Sequence, residues 1–568
     1  MSYFLRIRKN KKGNYLSIVD SKHVTGMKGN QSRVIKTLGY EETLITDEIK
    51  NPIEYYRNYC KELNRQRNLE KSKERETIGD DPLVKNIGYF LIKKVLDNLN
   101  IRPEFNAFTK LYSNYKCDIY QIYSDLIFSR VVKPESKNKT YEKIIDTLFG
   151  LEKNYSLDDI YNALTFIGEN YETILSFLTY HTNNLIKLDT STTLFDCTNF
   201  YFEIDKQDDF RKKGPSKENR NEPLVGMALL LDKHAIPINM KIYPGNQSEI
   251  NKLPETLDEM KKINNIKGRT IQVADKGLNC GRNIFKALSH KDGYLFSKSV
   301  LKSSNIEKTW YKIDKNWKNV YDENKELKYS YSDWVGDFTY EYKDDDGINQ
   351  KITVKEKRII TYNPKLARKK LLELEKITTS VNDLIACKAK KEKFGPYSEY
   401  IDLKTFDKNG ELIEGKIFGL LNTKKIEEEK KLAGFNVLVT SEIGIDTEEI
   451  YNLYHQLRKI EHTFRIMKSD LSARPVYLQK QSTITGHFMI IYTAVLLIRI
   501  LETHYLKGKV NSNDLFNFIR DFNIYEMPNG DFANFLSKIN LIEAIAEKIP
   551  EINFKYLKKN EIIKLLNI

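Results

Sequence analysis

Asp196 lies inside the apolar run Leu194-Phe195-Asp196-Cys197-Thr198. The run reads as a strand, and period-2 alternation puts Leu194 and Thr198 on the same face as the aspartate. A carboxylate in mid-strand is costly to bury unless it is paired or binds a metal. Asp275 follows a second short apolar strand, Thr270-Ile271-Gln272-Val273-Ala274. A crevice forms readily at such a strand end, although a turn or cap before Lys276-Gly277 explains the same residue. Glu461 lies in a helical stretch, with Tyr454 seven places before it and Lys468 seven places after. Seven positions bring a helix back to within about 20° of its starting direction. Tyr454, Leu457, Glu461 and Lys468 therefore share one stripe, with Arg458 and Arg465 on the next. A glutamate flanked by phosphate-seeking cations suits a site that holds metal beside a nucleic-acid backbone. The plainer reading is an amphipathic helix with ion pairs such as Arg458 with Glu461.

The elements that must position these residues follow from pattern. Residues 1–40 read as short strands, with Tyr3 to Arg8 and Tyr15 to Val19 joined by the basic turn Lys9 to Asn14. Residues 48–77 are charged and helical. Residues 84–180 show helix-like apolar spacing, broken by the basic loop Lys133 to Thr140. From 190 the texture turns to strands: Thr193 to Ile204, a hairpin from Val225 to Tyr243, Thr270 to Ala274, and Tyr294 to Ser297, with helices at Leu253 to Ile263 and Asn283 to Leu288. That alternation predicts an α/β domain with a mixed sheet. Residues 300–432 interrupt it with strand-like pieces, a charged helix at Lys365 to Leu384, and hairpin turn chemistry at Asp407-Lys408-Asn409-Gly410. Phe435 to Thr440 resumes a core strand, and a helix runs from about Asp446 to Ser469. The remainder reads as helical apart from the loop Met527 to Asp531.

The chain has 568 residues and a net charge of +14. That balance favours a polyanionic partner, nucleic acid first, and a lysine-rich solubilising surface accounts for it too. The five cysteines are scattered, with no zinc-like spacing, and point to a reducing cytoplasm. The N-terminus lacks an apolar signal core. The most apolar run, Phe488 to Leu501, spans 14 residues and contains Arg499. A membrane span needs about 20 residues, so this run is expected to be a buried helix, with no membrane partner.

Taken together, these residues resemble a DDE transposase of bacterial insertion sequences, in the group with a Y-R-E-K signature. Tyr454, Glu461 and Lys468 match that signature. Its arginine position holds Leu457, with Arg458 one place late. Further matches are Asp196-Cys197-Thr198, Tyr243-Pro244-Gly245-Asn246, Asp275-Lys276-Gly277 with Asn283, and Phe464-Arg465 leading to Arg474-Pro475-Val476-Tyr477. The resemblance covers about 190 to 505, with a weaker likeness near Leu38-Gly39-Tyr40.

The resemblance implies an α/β fold in which an RNase H-like mixed sheet is interrupted by a largely β insertion. The expected organisation is an N-terminal β hairpin region (1–47), a helical DNA-end-binding region (48–185), a catalytic domain in two parts (190–299 and 433–505), the insertion (300–432), and a C-terminal helical region (506–568). Asp196, Asp275 and Glu461 become the catalytic, metal-binding triad. Tyr454, Arg458, Arg465, Lys468 and Arg474 become DNA contacts. Two Mg²⁺ ions, replaceable by Mn²⁺, are implied. Such a pair activates an oxygen nucleophile and stabilises the leaving 3′ oxygen, and Mg²⁺ prefers oxygen ligands. Water frees a 3′-OH at the element end, which then attacks target DNA in the same site. The partners implied are double-stranded DNA, as element ends and target, and a second copy of the chain on paired ends, in the bacterial cytoplasm at the nucleoid. Trp310, Trp317 and Trp334 all fall in the insertion among lysines. The resemblance implies that a tryptophan there stacks on a flipped base, while core anchoring is the plainer role for each. Two other functions fit: an RNase H-like nuclease that does not join, and a decayed DNA-binding inhibitor.

Overall fold

The N-terminal strands form because aromatic and aliphatic side chains alternate with basic ones. Strand β1 (Ser2–Asn10) pairs antiparallel with β2 (Gly13–His23), matching Phe4 to Val19 and Arg8 to Tyr15. Gly13, at a φ of +110°, takes the turn that a side chain would strain. A third strand, β3 (Asn30–Tyr40), adds to β2. Helix α1 (Pro52–Lys73) packs on β1, where the Asn64 amide exchanges hydrogen bonds with the backbone of Tyr3 at 2.8 and 2.7 Å. The computed structural model describes the whole chain except residues 1, 24–29, 74–82, 216–220, 264–267, 302, 304–306, 309–316, 345, 387–394, 407–411, 539–541 and 568. Met1–Pro82 form one compact unit and Leu83–Ile568 a second.

The second unit opens with a short strand, β4 (Val84–Asn86), and five helices: α2 (Phe90–Leu99), α3 (Arg102–Tyr112), α4 (Ile119–Val132), α5 (Leu157–Glu169) and α6 (Tyr171–Ile186). Asp118 caps α4, and Ser156 with Asp159 makes a capping box on α5. The central strands follow: β5 (Thr192–Tyr201), β6 (Leu224–Leu231), β7 (Pro237–Pro244), helix α7 (Lys252–Ile263), β8 (Ile271–Ala274), helix α8 (Gly281–Ser289) and β9 (Gly293–Lys298). From the 300–432 segment come β10 (Lys318–Tyr321), β11 (Leu327–Lys343), β12 (Asn349–Tyr362), α9 (Pro364–Ala386), β13 (Ile401–Phe406), β14 (Leu412–Leu421) and α10 (Thr423–Lys431). Then come β15 (Phe435–Thr440), α11 (Thr447–His455), α12 (Leu457–Arg465), α13 (Gln481–Ile500), α14 (Ser512–Asp521), β16 (Asn523–Glu526), β17 (Phe532–Asn534), β18 (Tyr556–Leu557) and α15 (Lys559–Asn567).

Nine of these strands make one mixed sheet, in the order β10-β11-β12-β15-β9-β8-β5-β6-β7. Strands β8 and β9 run parallel to β5, and the other neighbours are antiparallel. A helical core covers one face of the sheet, and α7 and α8 cover the other. That double cover explains the unbroken apolar run of β6, every residue of which is buried. The spine of the helical core is α13. It is long and apolar enough to cross a membrane, but all of its most apolar window is buried inside the protein. It crosses α5 at backbone contact: a Cβ on Gly168 or Gly486 would sit 1.8 or 2.1 Å from a carbonyl oxygen of the opposing helix.

The structure departs from the sequence pattern in three places. Strands β10, β11 and β12 extend the central sheet instead of standing apart from it. Ile359 and Ile360 of β12 and Val437 to Val439 of β15 are buried, as befits interior strands. The rest of the segment, 363–434, begins and ends at one point, where the Asn363 N–H donates to the Gly434 carbonyl at 2.9 Å. The Asp407 to Gly410 turn lies outside the described residues. The second departure is in the C-terminal region, which is not purely helical. Strands β16, β17 and β18 form a small sheet with β4 in the order β18-β17-β16-β4. These strands are two to four residues long, too short to show a period, and the Asn523 partner Asn86 is 437 residues away in sequence. Third, the expected helix from Asp446 to Ser469 is broken at Gln456, whose N–H reaches the Leu453 carbonyl three residues back. It then widens into a π-turn over Ile466–Asp470.

Candidate active site

Phe195 of β5 pairs with Ala274 of β8, so the next rung of the parallel ladder sets Asp196 beside Asp275. Neighbouring strands lie about 4.8 Å apart. The preceding rung of that face, Leu194 with Val273, is buried in the helical core. Both aspartates therefore project toward the helices, and Asp275, just beyond the end of β8, is exposed. Strand β9 continues the rung with Ser297, whose hydroxyl donates to Asp275 Oδ1 at 3.2 Å. Alternation alone could have nominated Ser297, because it faces the aspartate across the ladder.

Helix α12 packs on the same face through Leu457, Ile460 and Phe464. Glu461, one turn after Leu457 on the flank of that face, is exposed. The Tyr454 hydroxyl, from the end of α11, donates to Asp275 Oδ1 at 3.4 Å. Burial pushes the Tyr454 phenol up, and the nearby Asp275 and Glu461 charges push it further. Tyr454 thus lies within electrostatic reach of two carboxylates that the sequence separates widely. Among the described residues no salt bridge joins Arg458 to Glu461, and none closes on Glu461. Tyr454 accordingly links Asp275 and Glu461 at the carboxyl end of β8, and Asp196 lies on the neighbouring strand β5, on which α12 packs. The donors are carboxylate oxygens, the chemistry a hard divalent cation takes. Among the described residues no three His, Cys, Asp or Glu side chains are drawn together closely enough to hold a metal ion.

A family model described as the transposase DDE domain matches residues 187–497, more than half of the chain and the whole run from β5 to α13 except its last turn. The chain belongs to the DDE transposase family. No curated protein matches it. A solved structure of piggyBac transposase, in a synaptic complex with hairpin DNA, is similar at 10% sequence identity and a TM-score of 0.35, over 84% of each chain.

The other residues singled out in the transposase sequence scatter around these carboxylates. Lys468, in the π-turn, holds its ammonium 5.6 Å from the Phe200 ring centroid. Phe200 shares the Asp196 face of β5, so Lys468 stays on the carboxylate side despite the break at Gln456. Arg474 lies over the Tyr201 ring at 5.1 Å. Arg458 and Arg465 are exposed. They act electrostatically on His455 and His462, whose imidazoles are held below their ordinary value by burial first and by these charges next. Trp317 meets Phe435 edge-on at 6.2 Å, and Trp334 meets Phe338 at 6.3 Å. Both are partly buried against the core on the α7–α8 face. Trp310 lies outside the described residues, as do Lys302, Lys312 and Lys315. Lys308 is paired with Glu428 at 2.6 Å, and Lys318 lies 5.7 Å from the Tyr331 ring centroid.

Proposed function

We propose that this DDE transposase binds the terminal inverted repeats of a bacterial insertion sequence and carries out metal-dependent cleavage and strand transfer in the bacterial nucleoid. One observation carries the reading: Asp196 and Asp275 each follow the last rung of the β5–β8 ladder, and the helix bearing Glu461 packs on β5, with the Tyr454 hydroxyl reaching Asp275. The order β9-β8-β5-β6-β7 supports an RNase H-like core, with an antiparallel β5-β6-β7 meander and β8 and β9 parallel to β5. On this reading the chain belongs to the Y-R-E-K group, with Arg458 in place of the signature arginine.

Asp196, Asp275 and Glu461 have the oxygen donors Mg²⁺ takes and would draw closer to hold two such ions, for which Mn²⁺ substitutes. Once bound, such ions supply an activated oxygen nucleophile and neutralise charge on the phosphate. The protein's own groups set the geometry around that chemistry. Ser297 and Tyr454 donate to Asp275, so its second oxygen is the one left to face a ligand. Lys468, Arg465, Arg458 and Arg474 bind backbone phosphates and fix the DNA register. The exposed crevice admits first water and then a 3′-OH on one side of the scissile phosphate. The deciding experiment incubates the purified protein with duplexes of its own element ends, a target plasmid and Mg²⁺. Cleavage with joining supports the proposal. Cleavage without joining makes the protein a nuclease, and binding alone makes it an inhibitor.

A further inference from the structure

Away from the Asp196 and Asp275 strand ends, the segment 134–138 and the loop 472–480 line an open cavity of about 610 Å³. Three basic side chains form its inner wall. Arg130 comes from α4, Lys137 from the start of the short helical stretch 137–147 that follows it and His487 from α13, and they are 6%, 6% and 5% exposed. Burying two cations beside an imidazole is costly unless each is paired. The protein supplies mostly neutral partners. Arg130 donates to the Glu135 carbonyl at 2.9 Å. With its Nε2 protonated, His487 donates to the Ala473 carbonyl at 3.4 Å, and its Nδ1 accepts from Lys137 Nζ at 3.2 Å. Among the described residues neither Arg130 nor Lys137 is salt-bridged to a carboxylate. The Glu135 carboxylate acts on Arg130 electrostatically, and its ion pair is with Lys139 at 3.5 Å. Burial, then the Arg130 charge, hold the Lys137 ammonium well below the ordinary lysine range. A guanidinium and an ammonium thus line a cavity whose one carboxylate among the lining residues, Glu135, is already ion-paired with Lys139, and Arg474 and Lys480 join its wall.

We infer that this cavity is a built oxyanion site that takes a phosphate group. A guanidinium fork and an ammonium, desolvated together, match the oxygens of a phosphate and gain strength from burial. The position suits DNA. Arg474 lies over the ring of Tyr201, which is five residues or about 17 Å along β5 from Asp196 and on the opposite face of that strand by alternation. That span equals about five base-pair steps at 3.4 Å each. The chemistry of the cavity stands alone, and only the source of the phosphate rests on the transposase reading.

The first arm of the test titrates inorganic phosphate into the full chain at constant ionic strength and follows the melting temperature. Wild type should melt higher as phosphate rises. Arg130→Gln and Lys137→Met should each weaken the apparent affinity about tenfold or more. Lys137→Met keeps the packed stem, so it remains informative if Arg130→Gln does not fold. The second arm scans single neutral methylphosphonate linkages through an element-end duplex. If one position weakens binding by wild type but not by Lys137→Met, the phosphate belongs to the DNA backbone. If no position does, while the variants lose the phosphate response, the site takes free phosphate. A wild type that ignores millimolar phosphate, or folded variants that respond as wild type does, overturns the inference. A loss of the response in variants of a protein that cuts no DNA would leave the oxyanion site standing and refute the proposed function alone.

Discussion

A carboxylate at the end of a short parallel strand can be changed without disturbing the fold, because Asp275 and Glu461 are exposed and α12 holds its place through Leu457, Ile460 and Phe464. Asp196→Asn, Asp275→Asn and Glu461→Gln should therefore each abolish cleavage while leaving end binding close to wild type, since carboxylates repel phosphate and contribute nothing to its capture. Calcium should support binding without cutting. Gel shift and cleavage assays on the same preparations check this, and near-normal cutting by any of the three would remove that residue from the site. Tyr454→Phe, which deletes one donor to Asp275, should slow cleavage by up to about tenfold. A different aspartate sets a pH dependence. Asp125, 2% exposed on α4, is pushed up to about 6 by burial, against the lowering effect of the hydrogen bond from the Tyr155 hydroxyl. Between the unfolded value of 3.8 and the folded value the native state holds the proton and the unfolded state does not. Stability therefore falls as pH rises from about 4 to about 6. Asp125→Asn should gain about 2–3 kcal/mol at pH 7, and the gain should vanish below about pH 4, as read by denaturant unfolding across pH.

At the scale of elements, the sequence revealed most where a period runs long enough. The β6–β7 hairpin, β8 before Asp275, and the buried α13 all follow from predominantly apolar runs. The alignment of Tyr454, Glu461 and Lys468 assumed one ideal helix. The break at Gln456 and the π-turn at Ile466–Asp470 are backbone adjustments no apolar period encodes, yet Tyr454 and Lys468 keep to the carboxylate side because both pack on that face of the sheet. Strands β10 to β12 read as strands, but which sheet they join depends on ladder partners distant in sequence. The same holds for β4 with β16. Packing between helices was equally hidden. Gly168 and Gly486 look like weak points in their helices until α5 and α13 are seen to cross at backbone contact. Gly168→Ala and Gly486→Ala should each cost about 3 kcal/mol or more, because a methyl would meet backbone that cannot move aside. A thermal melt unchanged in either variant would mean the helices can part cheaply.

Over the whole molecule, a net charge of +14 suits an enzyme that must hold a polyanion. An element has two ends, and a two-fold pair of chains would match them. Sedimentation of the protein on paired end duplexes should give two chains per complex, and one chain cutting both ends would refute that stoichiometry. Affinity for end duplexes should fall steeply with salt, by close to one power of salt concentration for each phosphate neutralised. The groups proposed to meet phosphate were only partly legible. Lys468 was marked by its spacing and Arg474 by the family resemblance, whereas Arg130, Lys137 and His487 come together from two segments that no local pattern links.

The excursion from Asn363 to Gly434 leaves the sheet and returns to it at a single hydrogen bond, directly beyond the Tyr362–Phe435 pair of β12 and β15. The ladder on either side of that point is continuous without it. Strands β10 to β12 are different, because β12 shields β15, and β15 in turn borders β9, which carries Ser297. In descent from an ancestor, the excursion can be swapped or lengthened in one event at the cost of its Leu432 core contact and its Lys365 and Glu428 ion pairs, while the strands before it are held in the sheet that carries Asp196. For the engineer, the Asn363–Gly434 gate is a splice point, where a foreign domain could be seated without interrupting a strand that positions a carboxylate.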